Sequence, residues 1–190
     1  MFPHRTLCYL PPVSWCAAAW NSEALVVEAH EHYQKGSLRN RCHIAGPNGV
    51  QRLSIPLEKG KHQQMPIREV RIAYDENWQR QHWRSISTAY GNAPYYEHYA
   101  EDLAPFYEKR FVFLFDYNLD LLTFILQKKL AWPGEIRMSE FYEAPAAVEY
   151  GMTRRYPQVF EEKHGFLPDL SVLDLLFCCG KRGGEVLAAG

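Results

Sequence analysis

Short apolar runs and longer amphipathic stretches alternate along the middle of the chain. Ala24–Ala29 (ALVVEA) is short and rich in β-branched residues, which predicts a buried strand. Val50–Leu57 alternates polar and apolar side chains, which predicts a strand with one buried face. In Asn77–Tyr90, apolar residues recur every four positions and predict an amphipathic helix. Phe111–Phe115 (FVFLF) is apolar on both faces, as is typical of a central, parallel strand.

This alternation favours an α/β or mixed α+β fold. We expect a single globular domain with a central mixed sheet flanked by helices and a less regular C-terminal part. At 190 residues the chain can form one full hydrophobic core, and the domain is predicted to span residues 1–180. Residues 181–190 are rich in glycine and alanine and predict a flexible tail. Asn118 fits the N-cap of a further helix that ends at Leu130.

A β-hairpin is predicted where Asn48-Gly49 separates two strand-like runs. Asn-Gly favours a two-residue turn because both of its central positions need positive φ. The hairpin would hold the polar segment that precedes it on a rigid scaffold.

That polar segment contains a cluster of hydrogen-bond donors, Lys35, Arg39, Asn40 and Arg41. An arginine fork suits phosphate or carboxylate, and asparagine suits sugar hydroxyls or amides. The cluster therefore predicts a site for an anionic, hydroxyl-rich ligand. The alternative is a solvated turn or a structural ion pair with Glu28.

Two further residues are candidates for catalysis. His82 lies on the apolar face of the predicted helix, where burial and a carboxylate partner could tune it as a general base. The alternative, which the spacing alone favours, is a hydrogen-bonded core histidine. Asp116 follows the predicted strand Phe111–Phe115, at a position where an aspartate can orient a histidine or bind a hydroxyl. Its alternative role is to cap the turn before the next helix.

Composition and charge narrow the classes of function. The net charge of −1 gives no basis for nucleic-acid binding, and no apolar run is long enough to span a bilayer. The five cysteines are odd in number and form no CxxC motif, which argues against structural zinc and predicts a reducing, cytoplasmic environment. His30 and His32 have a spacing that can bind metal, but no third ligand follows, so no metal site is predicted.

Several short motifs occur together between Leu7 and Leu187. They are Tyr33-Gln34-Lys35, Arg39-Asn40-Arg41-Cys42, Asn48-Gly49, Leu53-Ser54-Ile55-Pro56, Trp78 with His82-Trp83 and Ile86, Tyr90-Gly91, Pro94-Tyr95-Tyr96-Glu97, Gly165-Phe166 and Leu170-Ser171. Taken together, they resemble the WbqC-like family of bacterial proteins, in the form associated with Bacteroidetes.

The resemblance implies a role in the biosynthesis of surface polysaccharide such as O-antigen. It points to an acyl- or aminoacyl-transferase acting on an amino sugar or nucleotide sugar. In our hypothesis for such an enzyme, His82 is the base, Asp116 orients it and the donor cluster holds the ligand. The alternative is a non-catalytic ligand-binding or assembly protein of the same pathway. The expected partner is a small sugar or nucleotide sugar; the donor, any cofactor and the oligomeric state stay open.

Overall fold

The computed structural model describes residues 4–58, 65–147 and 154–189. Within these ranges the strands are β1 (His4–Arg5), β2 (Ala24–Val27), β3 (Arg41–Gly46), β4 (Gly49–Ser54) and β5 (Glu135–Met138). The helices are α1 (Val13–Trp20), α2 (Trp78–Tyr90), α3 (Tyr96–Leu103), α4 (Leu114–Thr123), α5 (Glu161–His164), α6 (Val172–Cys179) and α7 (Gly183–Ala188). Short 3₁₀ turns lie at Ile67–Glu69, Ala104–Tyr107 and Gly180–Arg182, and a π-helical segment, Phe124–Lys129, continues α4.

The predicted mixed fold with flanking helices is confirmed, with the strands divided between two small sheets. Strands β1, β2 and β5 form a parallel sheet in the order β1-β2-β5. Arg5 pairs with Val27, and Val27 pairs with Met138, so the last residues of the three strands lie in register. The chain segments that leave the three strands therefore begin at one edge of the sheet.

The predicted hairpin is confirmed by the antiparallel pairing of β3 with β4, but its turn lies one residue earlier. Pro47 and Asn48 form the turn, and Gly46 pairs with Gly49. Gly49 alone in the hairpin takes a positive φ, of 104°. Pro47 has no backbone N–H to pair with Val50, as a turn centred on Asn48 and Gly49 would need, and its φ near −65° suits the first central position that it occupies.

Helix α2 forms as its apolar spacing predicts. Asn77 caps it by accepting a hydrogen bond from the backbone N–H of Arg80. Trp78, Ile86 and Tyr90 are buried in the core. The helix thus contributes one apolar face to the domain, and the burial of that face fixes its orientation.

The predicted central strand at Phe111–Phe115 is wrong. Helix α4 begins at Leu114, and Phe113 makes only an isolated bridge to Arg71. Short apolar runs do not by themselves distinguish a buried strand from a buried helix segment, and here Leu114 is buried as the first residue of a helix. Asn118 is consequently not an N-cap: it lies inside α4, where its side-chain Nδ2 donates to the carbonyl of Arg39 at 2.7 Å.

The strand that takes the place next to β2 is β5, Glu135–Met138, in the part of the chain expected to be less regular. Its sequence, EIRM, is mostly exposed and has no strong apolar pattern. Backbone pairing with the buried strand β2 therefore determines its conformation more than its own side chains do.

The predicted flexible tail is also wrong. Residues Gly183–Ala188 form α7, which lies against α1, and Leu187 is fully buried. The absence of a side chain at Gly184 allows this contact, because a Cβ there would come within 2.7 Å of the Trp20 ring. Glycine-rich composition here reflects close helix packing. Among the described residues, no helix is long and apolar enough to cross a membrane.

The C-terminal helix should therefore contribute to stability. We expect Leu187→Ala to lower the free energy of unfolding by about 2–3 kcal/mol, because it removes a fully buried side chain. The exposed Glu185 on the same helix is the control, and Glu185→Ala should change stability by less than about 0.5 kcal/mol. Urea unfolding measures both; equal stability of Leu187→Ala and wild type would contradict the docked helix.

Candidate functional site

A cleft of about 1130 Å³ lies where the parallel strands end. It is lined by Thr6, Cys8, Trp15, His30, Glu31, His32, Gln34, Gly36, Ser37, Leu38, Arg39, Tyr142, Pro145, Ala146 and Ala147. These residues follow the carboxyl ends of β1, β2 and β5, or lie on α1 and the loop that leads to β3. Open parallel sheets bind ligands at this edge, so we take this strand-end cleft as the candidate site.

A buried ion pair forms one wall of the strand-end cleft. Arg39 donates from Nε to Glu31 Oε1 at 3.0 Å and from Nη2 to Oε2 at 2.5 Å. Thr6 also donates to Glu31 Oε2, at 3.1 Å. Both charged side chains are buried, and each neutralises the other. Arg39 thus reaches the predicted site, but its guanidinium is committed to Glu31 and its role there is to shape the wall.

Asn40 is a structural residue in this arrangement. Tyr33 donates from its hydroxyl to Asn40 Oδ1 at 3.0 Å, and Asn40 Nδ2 donates to the carbonyl of Ile55 at 2.9 Å. The side chain is buried and connects the polar segment to the residue that follows β4. Because the side chain is buried, bonded through both Oδ1 and Nδ2 and absent from the cleft lining, Asn40 holds the polar segment in place instead of facing the cleft.

Lys35 and Arg41 are different, because neither forms an ion pair with any described residue. Lys35 is exposed on the loop that borders the cleft. Arg41 Nη1 lies 3.8 Å from the point that a Cβ of Gly36 would occupy, and Gly36 lines the cleft. Two uncompensated cations therefore remain near the rim.

Behind the cleft, the carboxylate of Glu28 connects the ends of the three strands. Its Oε1 accepts from the backbone N–H of His30 at 2.7 Å and from Ser139 Oγ at 2.9 Å. Its Oε2 contacts His4 Nδ1 at 2.8 Å and accepts from the backbone N–H of Glu143 at 3.0 Å. Burial raises the pKa of Glu28, but these hydrogen bonds outweigh burial and hold the pKa below its usual value.

The imidazole of His30 is oriented by this arrangement. Its Nε2 donates to the carbonyl oxygen of Ser139 at 3.1 Å, since a carbonyl can only accept. His30 is exposed and lines the cleft. The neighbouring His32 also lines the cleft, and no hydrogen bond from its ring to a described residue holds it in place. No group of three or more metal-ligating side chains occurs among the described residues.

The thiol in the cleft is not an activated nucleophile. Cys8 is buried, and burial raises its pKa to about 12 even though nearby Arg39 acts in the opposite direction. Cys42, beside Arg41 in sequence, is buried as well, and burial raises its pKa strongly. Both thiols are therefore protonated at neutral pH and unsuited to forming a thioester intermediate.

The structure does not bring His82 to the strand-end cleft. His82 is only 5% exposed, and its Nδ1 bonds the hydroxyl of Tyr9 at 3.0 Å. The Trp78 ring meets it edge-on, with centroids 5.1 Å apart. Burial lowers the pKa of His82 to about 4, while a hydrogen bond with the backbone of Ser54 acts in the opposite direction. These features are those of a neutral core histidine, and they correct the general-base prediction.

Asp116 does not orient His82. It lies in the first turn of α4 and is exposed, and it makes no hydrogen bond or ion pair with a described residue. The prediction depended on a strand ending at Phe115, and a helix occupies that position instead. An acidic residue in the first turn of a helix complements the helix dipole, which accounts for Asp116.

No sequence pattern pointed to Ser139 or Thr6, Glu28 was considered only as an ion-pair partner of the donor cluster, and His30 was considered only for metal binding. One local signal was present: two histidines directly after a β-branched strand lie where ligands bind in parallel sheets. The partners of these side chains could not be found locally, because His30 and Ser139 are 109 residues apart.

The profile described as the WbqC-like protein family matches residues 8–140 of the chain. The matched span includes the cleft-lining residues from Cys8 to Arg39. A Mycobacterium tuberculosis protein, "Uncharacterized protein Rv1507c", is 30% identical over 194 residues, which cover 82% of this chain and 83% of that protein. No solved structure matches the chain.

The burial of His82 predicts a specific dependence of stability on pH. Because the folded pKa is near 4 and the usual value is 6.5, acid protonates the unfolded chain first. The contribution of the neutral His82 side chain to stability is therefore complete above pH 6.5 and decreases as the pH falls towards 4. We expect this residue alone to lower the free energy of unfolding by about 2 kcal/mol at pH 5.

Urea unfolding of wild type and His82→Gln at pH 7 and pH 5 measures this effect. The glutamine variant should lose much less stability than wild type between the two pH values, whatever its stability at pH 7. An equal loss in both proteins would show that His82 is not a sealed, neutral side chain.

Proposed function

This chain belongs to the WbqC-like protein family, and on that basis we propose that it binds an amino sugar or nucleotide sugar in the strand-end cleft, as the acceptor of an acyl or aminoacyl group. The step would belong to the assembly of a surface polysaccharide such as O-antigen. The observation that carries the proposal is the cleft itself, which lies at the carboxyl ends of three parallel strands with two unpaired cations near its rim.

The lining of the cleft suits a sugar. Gln34 offers an exposed amide, and His30 and His32 offer exposed imidazoles. The ring of Tyr142 is 60% exposed beside them and provides a face against which a pyranose can stack. Polar groups at several positions around one aromatic face are the pattern expected for a ligand with many hydroxyls.

The cations near the rim suit a phosphate. With Arg39 neutralised by Glu31, the positive charge available to a ligand comes from Lys35 and Arg41. Arg41 can present two parallel N–H groups, which matches the geometry of a phosphate oxygen pair. This charge favours a nucleotide-linked sugar over a free one.

Transfer without a covalent enzyme intermediate is consistent with the lining. The Cys8 thiol is protonated, so the sugar amine would attack the activated acyl carbon directly. The enzyme would then act by positioning the two substrates and by accepting a proton from the amine.

A second candidate function is non-catalytic binding within the same pathway. Met138, Phe141 and Tyr142 expose 47%, 62% and 60% of their surface, on β5 and the segment that follows it. Large exposed side chains that lie close together are typical of contact surfaces for other proteins. In that case the cleft would hold a sugar without changing it.

Ligand binding can be tested by thermal shift with three probes: uridine diphosphate N-acetylglucosamine, glucosamine and acetyl-coenzyme A. Specific binding should raise the melting temperature in a concentration-dependent way, most strongly for the nucleotide sugar. Arg41→Ala should weaken its binding about 10-fold, corresponding to about 1.4 kcal/mol.

Arg84→Ala is the matched control, because Arg84 is an exposed arginine on α2 that does not line the cleft. It should bind the nucleotide sugar as wild type does. Equal affinity in the two arginine variants would contradict a role for Arg41, and no shift with any sugar would contradict the proposed ligand class.

A further inference from the structure

We propose that His30 is the catalytic base of this site, with Nδ1 as the proton acceptor, and that Glu28 and Ser139 position it. The inference rests on the proposed function, since it names the group that takes the proton when an amino sugar is acylated. It replaces His82, which is sealed in the core, with a histidine that is open to the cleft.

The tautomer of His30 follows from its hydrogen bond. Nε2 faces the carbonyl oxygen of Ser139 at 3.1 Å, and this contact is favourable only when Nε2 carries hydrogen. In the neutral ring the lone pair is then on Nδ1, and no described residue bonds that atom. A general base needs an unprotonated nitrogen that substrate can reach, and a hydrogen bond at the other ring nitrogen holds it in a fixed direction.

The carbonyl that orients the ring is itself held tightly. Ser139 donates its backbone N–H to the carbonyl of Val27 at 2.9 Å, and its Oγ accepts from the N–H of Ala29 at 2.9 Å. The same hydroxyl donates to Glu28 Oε1. Ser139 is thereby fixed against the end of β2 by three hydrogen bonds, and its carbonyl has little freedom to move.

Glu28 holds both partners of this contact at once. Its Oε1 accepts the backbone N–H of His30 and the hydroxyl of Ser139, at 2.7 Å and 2.9 Å. The carboxylate thus fixes the main chain that carries the imidazole and the residue whose carbonyl receives the Nε2 hydrogen. Glu28 is fully buried and does not line the cleft, so it acts through His30.

Two other groups complete the surroundings of Glu28. His4 contacts Oε2 through Nδ1, and its Nε2 lies 3.7 Å from Glu143 Oε2. The backbone N–H of Glu143 also donates to Oε2. All of these contacts favour the ionised carboxylate, which accepts hydrogen bonds and has no proton to donate.

The chemistry balances with an acyl or aminoacyl thioester as the donor. The amine nitrogen of the sugar forms a bond with the thioester carbon, and the carbon–sulfur bond breaks. One proton leaves the nitrogen for His30 Nδ1 and then passes to the departing thiolate. The products are an amide and a thiol, with no change in oxidation state.

The neighbouring His32 provides a matched comparison for the orientation of the ring. It is exposed and lines the same cleft, two residues away, but its ring has no hydrogen bond to a described residue. An unoriented ring spends little time in a productive geometry. The two histidines therefore share residue type and location and differ in orientation.

The first test is NMR of the histidine ring nitrogens in ¹⁵N-labelled protein, with His30→Gln used to assign the signal. The neutral His30 ring should carry its hydrogen on Nε2 in wild type and in His32→Gln. In Glu28→Gln, the N–H groups of the new amide would lie against the N–H and O–H donors that the carboxylate accepts from. The contacts that hold His30 and Ser139 would loosen, and the His30 ring should become a mixture of tautomers.

Ser139→Ala is the milder second variant, in case Glu28→Gln does not fold. It keeps the carbonyl but removes the hydroxyl that fixes it, so partial mixing is expected. A wild-type ring protonated at Nδ1 would overturn the assignment, as would an unchanged tautomer in both variants.

The second test measures amide formation between glucosamine and acetyl-coenzyme A. His30→Gln should lower kcat by about 10²–10⁴-fold, whereas His98→Gln, at an exposed histidine of α3 that does not line the cleft, should stay within about 3-fold of wild type. Equal losses in both variants would overturn the base assignment. If the wild type shows no turnover with thioester donors, both the transferase step and the role of His30 as base are wrong. The ring tautomer is measured without substrate and tests separately whether Glu28 and Ser139 position His30.

Discussion

The buried carboxylate of Glu28 is the group on which the ends of the three parallel strands depend. A charge that is fully buried is costly unless hydrogen bonds replace its water shell, and Glu28 receives them from His4 in β1, from the main chain after β2 and from Ser139 and Glu143 after β5. The strands are only two to four residues long, so backbone pairing alone holds them weakly. The carboxylate joins the three strands from behind the strand-end cleft.

The four residues of the donor cluster fall into two groups. Arg39 and Asn40 are bonded within the protein, where they support the wall of the cleft and the start of the hairpin. Lys35 and Arg41 form no ion pair with a described residue and lie near the rim of the cleft. A single donor-rich segment thus supplies both structural residues and the cations on which the proposed ligand site depends.

The elements with strong periodicity could be predicted from sequence. Helix α2 and the β3–β4 hairpin follow from residue spacing and turn residues, which are local properties. By contrast, β5 has no apolar pattern, and the short apolar run FVFLF is compatible with either a buried strand or the start of a buried helix. The candidate site depends on contacts over more than a hundred residues, so His30 was visible in the sequence only as half of a possible metal pair. His82 attracted attention because its helix is regular, and that regularity reflects burial.

If the ligand site lies at the carboxyl ends of the parallel strands, a nucleotide sugar must contact the residues there. Amide chemical shifts of ¹⁵N-labelled protein, mapped during titration with uridine diphosphate N-acetylglucosamine, test this location. We expect the largest, saturable changes at His30, Gln34, Gly36 and Tyr142, with little change along α2. Changes centred on His82 and its helix, with the strand-end amides unmoved, would contradict it.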